Sequence, residues 1–268
     1  MEVLVGDERI IAFAEKLAAR ARQITLPFFR AGVASENKAD DSPVTEADRR
    51  CEREWRDMIA AAYPTHGVVG EEYGDDAGGA AEVWVLDPID GTRSFISGSP
   101  LYCSLIALVR DGAPVVGVID APALGERWVG YDAPGMQWAT FCGRACRVAE
   151  APLLAQARMI STTLGLLDND ADLALRRLAA AAGPVRLGGD GTGYGCVAAG
   201  FAHLAADYEM AAYDYLPLLP IIRAAGGEMS DWHGQPLSLA NGKTRVLASA
   251  SANLHQQALA ALNDRPGH

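Results

Sequence analysis

The stretch VWVLDPIDGTRSF, Val83–Phe95, decides how the rest of the chain is read. Val83–Leu86 is a short apolar run with the length and residue types of a buried strand. It ends in two aspartates, Asp87 and Asp90, held apart only by Pro88 and Ile89. A tight turn needs one Asp and one Gly, not two acids flanking a proline behind a strand. Two carboxylates leaving a core together repel each other at low dielectric, and a hard divalent cation relieves that repulsion. Mg²⁺ suits such a place because it takes oxygen ligands and keeps some water. The spacing lets Asp87 face one ion while the Ile89 carbonyl and Asp90 curl round it. A helix opening at Gly91 and Thr92 would point amide N–H groups at an anion such as phosphate. Metal ions beside an anion nest describe a phosphoryl-transfer site.

Further acids sit outward from this stretch. Glu71 and Glu72 follow the short strand GVVG, Gly67–Gly70, and Asp214 lies in AAYDYLPLLP ahead of an apolar helix. Alone, paired glutamates after a strand are an ordinary solvated turn, and Asp214 is an ordinary N-cap. Placed side by side, the strand ends would bring all of these oxygens together. Thr45 and Asp48 have capping-box spacing at the start of a second helix, expected from about Thr45 to Tyr63. A first helix, with Ile10, Ala14, Leu17, Ala21, Ile24 and Phe28 on one face, is expected from Asp7 to about Pro27.

The segment YCSLIALVRDGAPVVGVIDAP reads as a hairpin around Asp111-Gly112, and RWVGY and QWATF extend an antiparallel meander. Beyond about residue 150 strands and helices alternate. ARMISTT and VRLGG read as strands, with DADLALRRLAAAA as a helix between them. YGCVAAGFAHLA reads as a helix, AADYEM as a strand, DYLPLLPIIRAAGG as one helix ending at Gly226, and RVLASA as a last strand. The 268 residues make one domain, with soft halves at 1–145 and 146–268 and no evident linker.

Hydrophobic residues make up 50% and charged residues 21%, the balance of a soluble globular chain. A net charge of −11 argues against a nucleic-acid partner, which needs a basic face. The five cysteines show no zinc spacing and read as buried free thiols in a reducing compartment. The first residues, MEVLVGDERI, lack the pattern of a signal peptide, and no apolar run approaches the roughly 20 residues of a membrane span. A cytoplasmic location is therefore expected.

In order and spacing, VTEAD, GEE, WVLDPIDGT and YD…PIIRAAGG resemble the inositol-monophosphatase-like family of Mg²⁺-dependent, lithium-sensitive phosphatases, over nearly the whole chain. The resemblance implies an α-β-α-β-α layered sandwich and a homodimer. It implies that Glu71, Asp87, Asp90, Asp214 and the Ile89 carbonyl hold two or three Mg²⁺ ions, with Asp87 bridging two. Asp48 and Thr92 would orient the attacking water, Glu71 would share in catalysis, and the Gly91 and Thr92 amides would hold phosphate. Lys38 matches a basic residue near the site in some relatives, and Glu72 stands beside the ligand set.

DPIDGTRSFISGSPLY, STT at Ser161–Thr163 and GGDGTGYG look like the histidinol-phosphatase branch, which serves histidine biosynthesis, as does Tyr213 where inositol enzymes carry Trp. Two departures stand out. That branch carries Cys after Gly-Gly-Asp, where this chain has Gly191, and Leu-Lys-Pro before the Tyr-Asp pair, where this chain reads MAAYD. Histidinol phosphate carries an amine and an imidazole, so its pocket should offer spare carboxylates; Asp190 and Glu209 are the candidates, with Arg93 placed to meet phosphate. An inositol or sugar phosphate monoesterase is the alternative. A silent relative that only binds metal or ligand is a second alternative, and the intact acid set argues against it.

Overall fold

The computed structural model describes residues 2–31, 35–37, 43–150, 153–166 and 169–264; Lys38 lies outside them. A two-stranded ribbon, β1 (Ser35–Asn37) and β2 (Pro43–Thr45), precedes two larger sheets. The first has eight strands: β3 (Gly67–Gly70), β4 (Gly74–Asp76), β5 (Glu82–Asp90), β6 (Cys103–Arg110), β7 (Ala113–Ala121), β8 (Glu126–Ala133), β9 (Met136–Phe141) and β10 (Arg144–Ala145). The second has five: β11 (Met159–Ser161), β12 (Val185–Leu187), β13 (Leu204–Met210), β14 (Glu228–Asp231) and β15 (Thr244–Ser249). The helices are α1 (Glu2–Thr25), α2 (Glu46–Ala62), α3 (Thr92–Ile96), α4 (Asp170–Ala181), α5 (Asp190–Ala198), α6 (Ala212–Tyr215), α7 (Leu218–Ala224) and α8 (Ala252–Asn263).

Side-chain alternation along the strands builds the layers. On β5 and β6, Trp84, Leu86, Ile106 and Leu108 pack with Leu17 and Ala21 of α1 and Cys51, Trp55 and Ile59 of α2. Val83, Val85, Leu105 and Ala107 face the other way, onto Tyr194 and Val197 of α5 and Leu218 and Ile221 of α7. Ala205, Val246 and Ala248 of the second sheet close that middle layer. Leu204, Ala206, Tyr208 and Leu247 turn outward, onto Leu175 and Leu178 of α4 and Leu254 and Ala258 of α8. The result is the expected α-β-α-β-α sandwich.

One contact in the middle layer fixes the site. A Cβ on Gly130 would fall 2.4 Å from the Ile221 backbone, and one on Gly117 would fall 2.1 Å from the Pro217 carbonyl. Only glycine lets α7 lie flat on β7 and β8, and α6 with Asp214 is carried on the segment just ahead of it.

Several sequence expectations need correction. Strand β5 runs on through Asp90 rather than stopping at Leu86, with an irregularity between Asp87 and Asp90 against β6. Helix α1 begins at Glu2, and Asp7 lies inside it, accepting from Arg110 at 3.0 Å and from the Tyr131 hydroxyl at 2.5 Å. Helix α5 opens at Asp190 and ends at Ala198, because Gly200 turns the chain with φ 78° and His203–Ala205 go on into the second sheet. The expected single helix from Asp214 is two, α6 and α7, separated around Pro217, which has no N–H to continue the first. RVLASA is the last strand, but α8 follows it. The cysteines are free, as expected, but only Cys51 and Cys103 are buried; Cys142 is exposed.

Candidate functional site

The acids meet because of strand direction. β3 and β5 are parallel neighbours, with Gly70 opposite Leu86. Glu71, the residue after β3, and Asp87, the next residue along β5, therefore lie side by side, and the Glu71 amide donates to the Leu86 carbonyl at 3.2 Å. Asp214 arrives from the second half as the third residue of α6, where its Oδ2 accepts the Ala211 amide at 2.7 Å. It is not the N-cap that opens the helix. One oxygen from each of Asp87, Asp90 and Asp214 lies within 4.8 Å of the others. Glu71 stands outside that group on the Asp87 side, with the two carboxyl groups at hydrogen-bonding range.

The electrostatics are those of buried acids crowded together, with the Lys243 charge offsetting part of the effect at Asp214. Burial, then the charges of Glu71, Asp90 and Asp214, push the Asp87 carboxyl well above the carboxylate range. Burial, then Asp190 and Asp214, do the same to Asp90. Asp214 is pushed up to about 7 by burial and then by Glu71. Such a set stays ionised only when a cation shares it.

Asp48, on α2, lies close enough to Glu71 and Glu72 for their charges to act on it. The capping box forms as expected: its Oδ2 accepts the Thr45 amide at 2.9 Å and the Thr45 hydroxyl at 2.5 Å. Its Oδ1 is buried with no protein partner among the described residues. Burial is the main reason its carboxyl is pushed up to about 7, with Glu72 and Glu71 adding to it. A buried orphan oxygen close to Glu71 and Glu72, with three further carboxylates clustered on the Asp87 side of Glu71, fits a hard cation and its water, so the residues present suit a metal. Thr92, first residue of α3, donates its hydroxyl to the Ile89 carbonyl at 3.1 Å. Ile89 N–H donates to Asp87 Oδ1 at 3.0 Å.

Two lobes of space adjoin the acids. One of about 420 Å³ is lined by Gly91, Thr92, Arg93 and Ser94. The other, of about 130 Å³, is lined by Thr162, Tyr194, Asp207 and Glu209. Asp90, Asp190, Thr162 and Asp214 border both. Glu209 is exposed and takes φ 60° where the β13–β15 pairing slips between Asp207 and Met210, a bulge that turns it to the lobe. Arg93 is exposed at the phosphate-side lobe. Asp190 does not cap its own loop: its Oδ2 accepts the Ser94 hydroxyl at 2.7 Å, across the two halves of the chain.

Gly191 has a local reason. A Cβ there would lie 2.8 Å from Asp90 Oδ2 and 2.9 Å from both Cys103 Sγ and the Leu105 side chain. The bare position lets the Gly191 amide donate to Asp90 Oδ2, which the Cys103 thiol also reaches at 3.3 Å.

Sequence reading missed Glu52. It is fully buried on α2, one turn after Asp48, and accepts the Glu72 amide at 2.7 Å, the Tyr73 amide at 3.2 Å and Arg56 at 2.8 Å. Asp48 thus lies close to Glu71 and Glu72 while Glu52 anchors the turn that presents Glu71. The signal was present as an acid four residues from Asp48 on one helix face, but a surface Glu–Arg pair at Glu52 and Arg56 reads the same way.

Helix layers enclosing two mixed sheets, with clustered carboxylates beside two lobes of space, are the architecture of a class of phosphoric monoester hydrolases, and the family match places the chain among them. The chain belongs to the inositol monophosphatase family, whose model matches residues 7–266. It is 38% identical over 241 residues to a histidinol-phosphatase of Chlorobaculum parvum, covering 89% of this chain and 92% of that one. It is 35% identical over 263 residues to the bifunctional phosphatase IMPL2, chloroplastic, of Arabidopsis thaliana, covering 95% of this chain and 75% of the relative. Among solved structures, an inositol monophosphatase from Zymomonas mobilis superposes with a TM-score of 0.85 at 38% identity, covering 96% of this chain and 98% of that one.

Proposed function

We propose that the protein is a Mg²⁺-dependent histidinol-phosphate phosphatase, converting histidinol phosphate and water to histidinol and phosphate. Identity alone does not select the substrate, since a histidinol-phosphatase and an inositol monophosphatase are equally similar, at 38% each. The observation that carries the reading is the charge of the smaller lobe. Beyond the candidate ligands Asp90 and Asp214, its lining holds Asp190, Asp207 and Glu209, and no Lys, Arg or His. With Asp207 and Asp190 already bonded to neighbouring amides and hydroxyls, Glu209 is the acid placed to meet a cationic alcohol, and a neutral cyclitol would forgo that ion pair.

Glu71, Asp87, Asp90, Asp214 and the Ile89 carbonyl would hold the ions. Mg²⁺ bound there supplies positive charge that acidifies water and neutralises the phosphate. Asp48, through Oδ1, and Thr92, through its hydroxyl oxygen, accept from the attacking water and aim its oxygen at phosphorus. The Gly91 and Thr92 amides and Arg93 hold the phosphate oxygens. The new P–O bond forms in line as the ester P–O bond breaks, and the proton that the attacking water gives up passes to the leaving alkoxide, yielding the alcohol and hydrogen phosphate. No protein nucleophile is needed. The first half brings Glu71, Asp87 and Asp90 and the second brings Asp214, so residues 1–268 act as one catalytic unit. Assembly as a homodimer rests on the family resemblance, and light scattering on the purified protein would check it.

The test is a panel of esters with Mg²⁺ present. Histidinol phosphate should give the highest kcat/KM. Equal or better turnover of inositol monophosphate would hand the assignment to the alternative, and no turnover of any ester would favour a silent relative.

A further inference from the structure

The smaller lobe has a wall that the catalytic acids do not explain. Asp207, on β13, is 4% exposed. Its Oδ1 accepts the Thr162 amide at 2.7 Å, the Thr163 amide at 2.8 Å, the Thr163 hydroxyl at 2.9 Å and the Ser161 hydroxyl at 3.1 Å. Its Oδ2 accepts the Tyr194 hydroxyl at 3.1 Å. A carboxylate has about four lone-pair sites, so these donors saturate it. Asp207 therefore gathers the loop after β11 and the middle of α5 around itself, leaving little capacity to bind a substrate.

The bonds continue past it. The Thr162 hydroxyl accepts the Asp190 amide at 2.8 Å, and Asp190 Oδ2 accepts the Ser94 hydroxyl at 2.7 Å. Asp190 also lies directly on the phosphate-side turn, since a Cβ on Gly91 would fall 2.3 Å from its Oδ2. One unbroken chain thus runs from Asp207 through Thr162 and Asp190 to Ser94, from the smaller lobe to the turn that follows Asp90.

We propose that Asp207 is a positioning residue that couples recognition of the alcohol to the geometry of the phosphate-holding turn. The inference rests on the reading above that the two lobes take the two ends of one ester. An alcohol seated against Thr162 and Tyr194 presses on groups whose other bonds hold Asp190 and Ser94. Correct seating then shows in kcat as well as KM, because contact remote from the reacting bond improves alignment there.

The experiment compares the wild type's best alcohol ester, expected to be histidinol phosphate, with a plain aryl phosphate in Mg²⁺. Asp207→Asn keeps the side chain's volume but loses its charge and places an amide donor among donors. It should lower kcat/KM for the alcohol ester by about 10- to 100-fold, with much of the loss in kcat, and for the aryl ester by no more than about threefold. Thr162→Val, which cuts the chain at one hydroxyl, should reproduce the selective loss, and Thr162→Ser should restore it. The Mg²⁺-induced rise in melting temperature should stay at the wild-type value in all three. Equal losses on both esters, or a Thr162→Ser variant as impaired as Thr162→Val, would reduce Asp207 to a structural residue and overturn the proposal. If Asp207→Asn does not fold, the Thr162 pair decides. Failure of the wild type on histidinol phosphate would sink the substrate assignment alone, since the coupling is read on whichever alcohol ester it prefers.

Discussion

Asp87 and Asp120 belong to the same eight-stranded sheet and are almost equally buried, 2% and 0% exposed. Their surroundings are opposite. Asp120 accepts from Arg22 at 2.7 and 3.2 Å and from Arg127 at 2.7 Å, so its charge is met by two guanidinium groups. Asp87 has Glu71, Asp90 and Asp214 around it, and burial followed by their charges pushes its carboxyl well up. A buried acid whose donors come with the fold is holding the fold together. A buried acid among other acids forms a place that a cation could share.

The sharpest way to break this contrast is to neutralise one acid on each side. Asp90→Asn should lower hydrolysis by about three orders of magnitude, matching the several kcal/mol a metal contributes to the transition state. Its melting temperature without metal should be equal to or above wild type, since a repelling charge is gone. Turnover assays and metal-free melts on one preparation would check both, and wild-type turnover would refute the ligand assignment. Asp120→Ala should do the reverse, costing about 1–3 kcal/mol of stability by removing the buried acceptor shared by two half-buried guanidinium groups. Activity per folded molecule should be kept, as denaturant melts with turnover at low temperature would show.

Adding the missing charge sharpens the same contrast. Mg²⁺ at a hundred times its dissociation constant should stabilise the wild type by about 2.7 kcal/mol, roughly 5 to 10 °C in melting temperature. Asp120→Ala should respond equally and Asp90→Asn much less; identical shifts in all three would place the ion elsewhere. Glu52→Gln tests the anchor behind Glu71. It should weaken Mg²⁺ binding about 10-fold or more by loosening the Glu71 turn, as titration calorimetry would measure. Arg56→Ala, removing only the outer partner of Glu52, should change it far less.

The smallest effect concerns a buried base. His255, on α8, is bonded by the Ser230 hydroxyl at Nε2 and the Ser249 hydroxyl at Nδ1, both at 2.8 Å. Burial pulls it down to about 4. The unfolded chain takes up this proton near its ordinary value and the folded chain does not, so this ring's contribution to stability is lost as pH drops below about 6.5 toward 4, against the opposite trend of Asp48 and Asp214, which are pushed up to about 7. The ring's share is roughly 1 kcal/mol between about pH 7 and about pH 5.5, so His255→Asn should change the pH slope of stability by that amount relative to wild type. An unchanged slope in pH-dependent melts would show that the ring is charged in the fold.

Much of the candidate site was legible because its residues are close in sequence. Asp87, Ile89, Asp90, Gly91 and Thr92 form one continuous stretch, and Thr45 with Asp48 obeys a local capping rule that the structure reproduces. Helix breaks were less legible. Pro217 splits the expected helix, and the place of Asp214 within α6 follows from packing against β7 and β8, which local propensity does not carry. Glu52 and Asp207 were passed over because each resembles an ordinary polar residue until its donors, from distant segments, are in place.

The chain alone determined which groups could do chemistry, since two acids around a proline behind an apolar run repel wherever they are put. Only the tertiary structure decided that they stand together. Parallel pairing of β3 with β5 sets Glu71 beside Asp87, and a helix lying against Gly117 and Gly130 brings Asp214 to meet them. Repulsion is a property of the residues; concentrating it in one place takes a strand direction and a close approach that no local segment specifies.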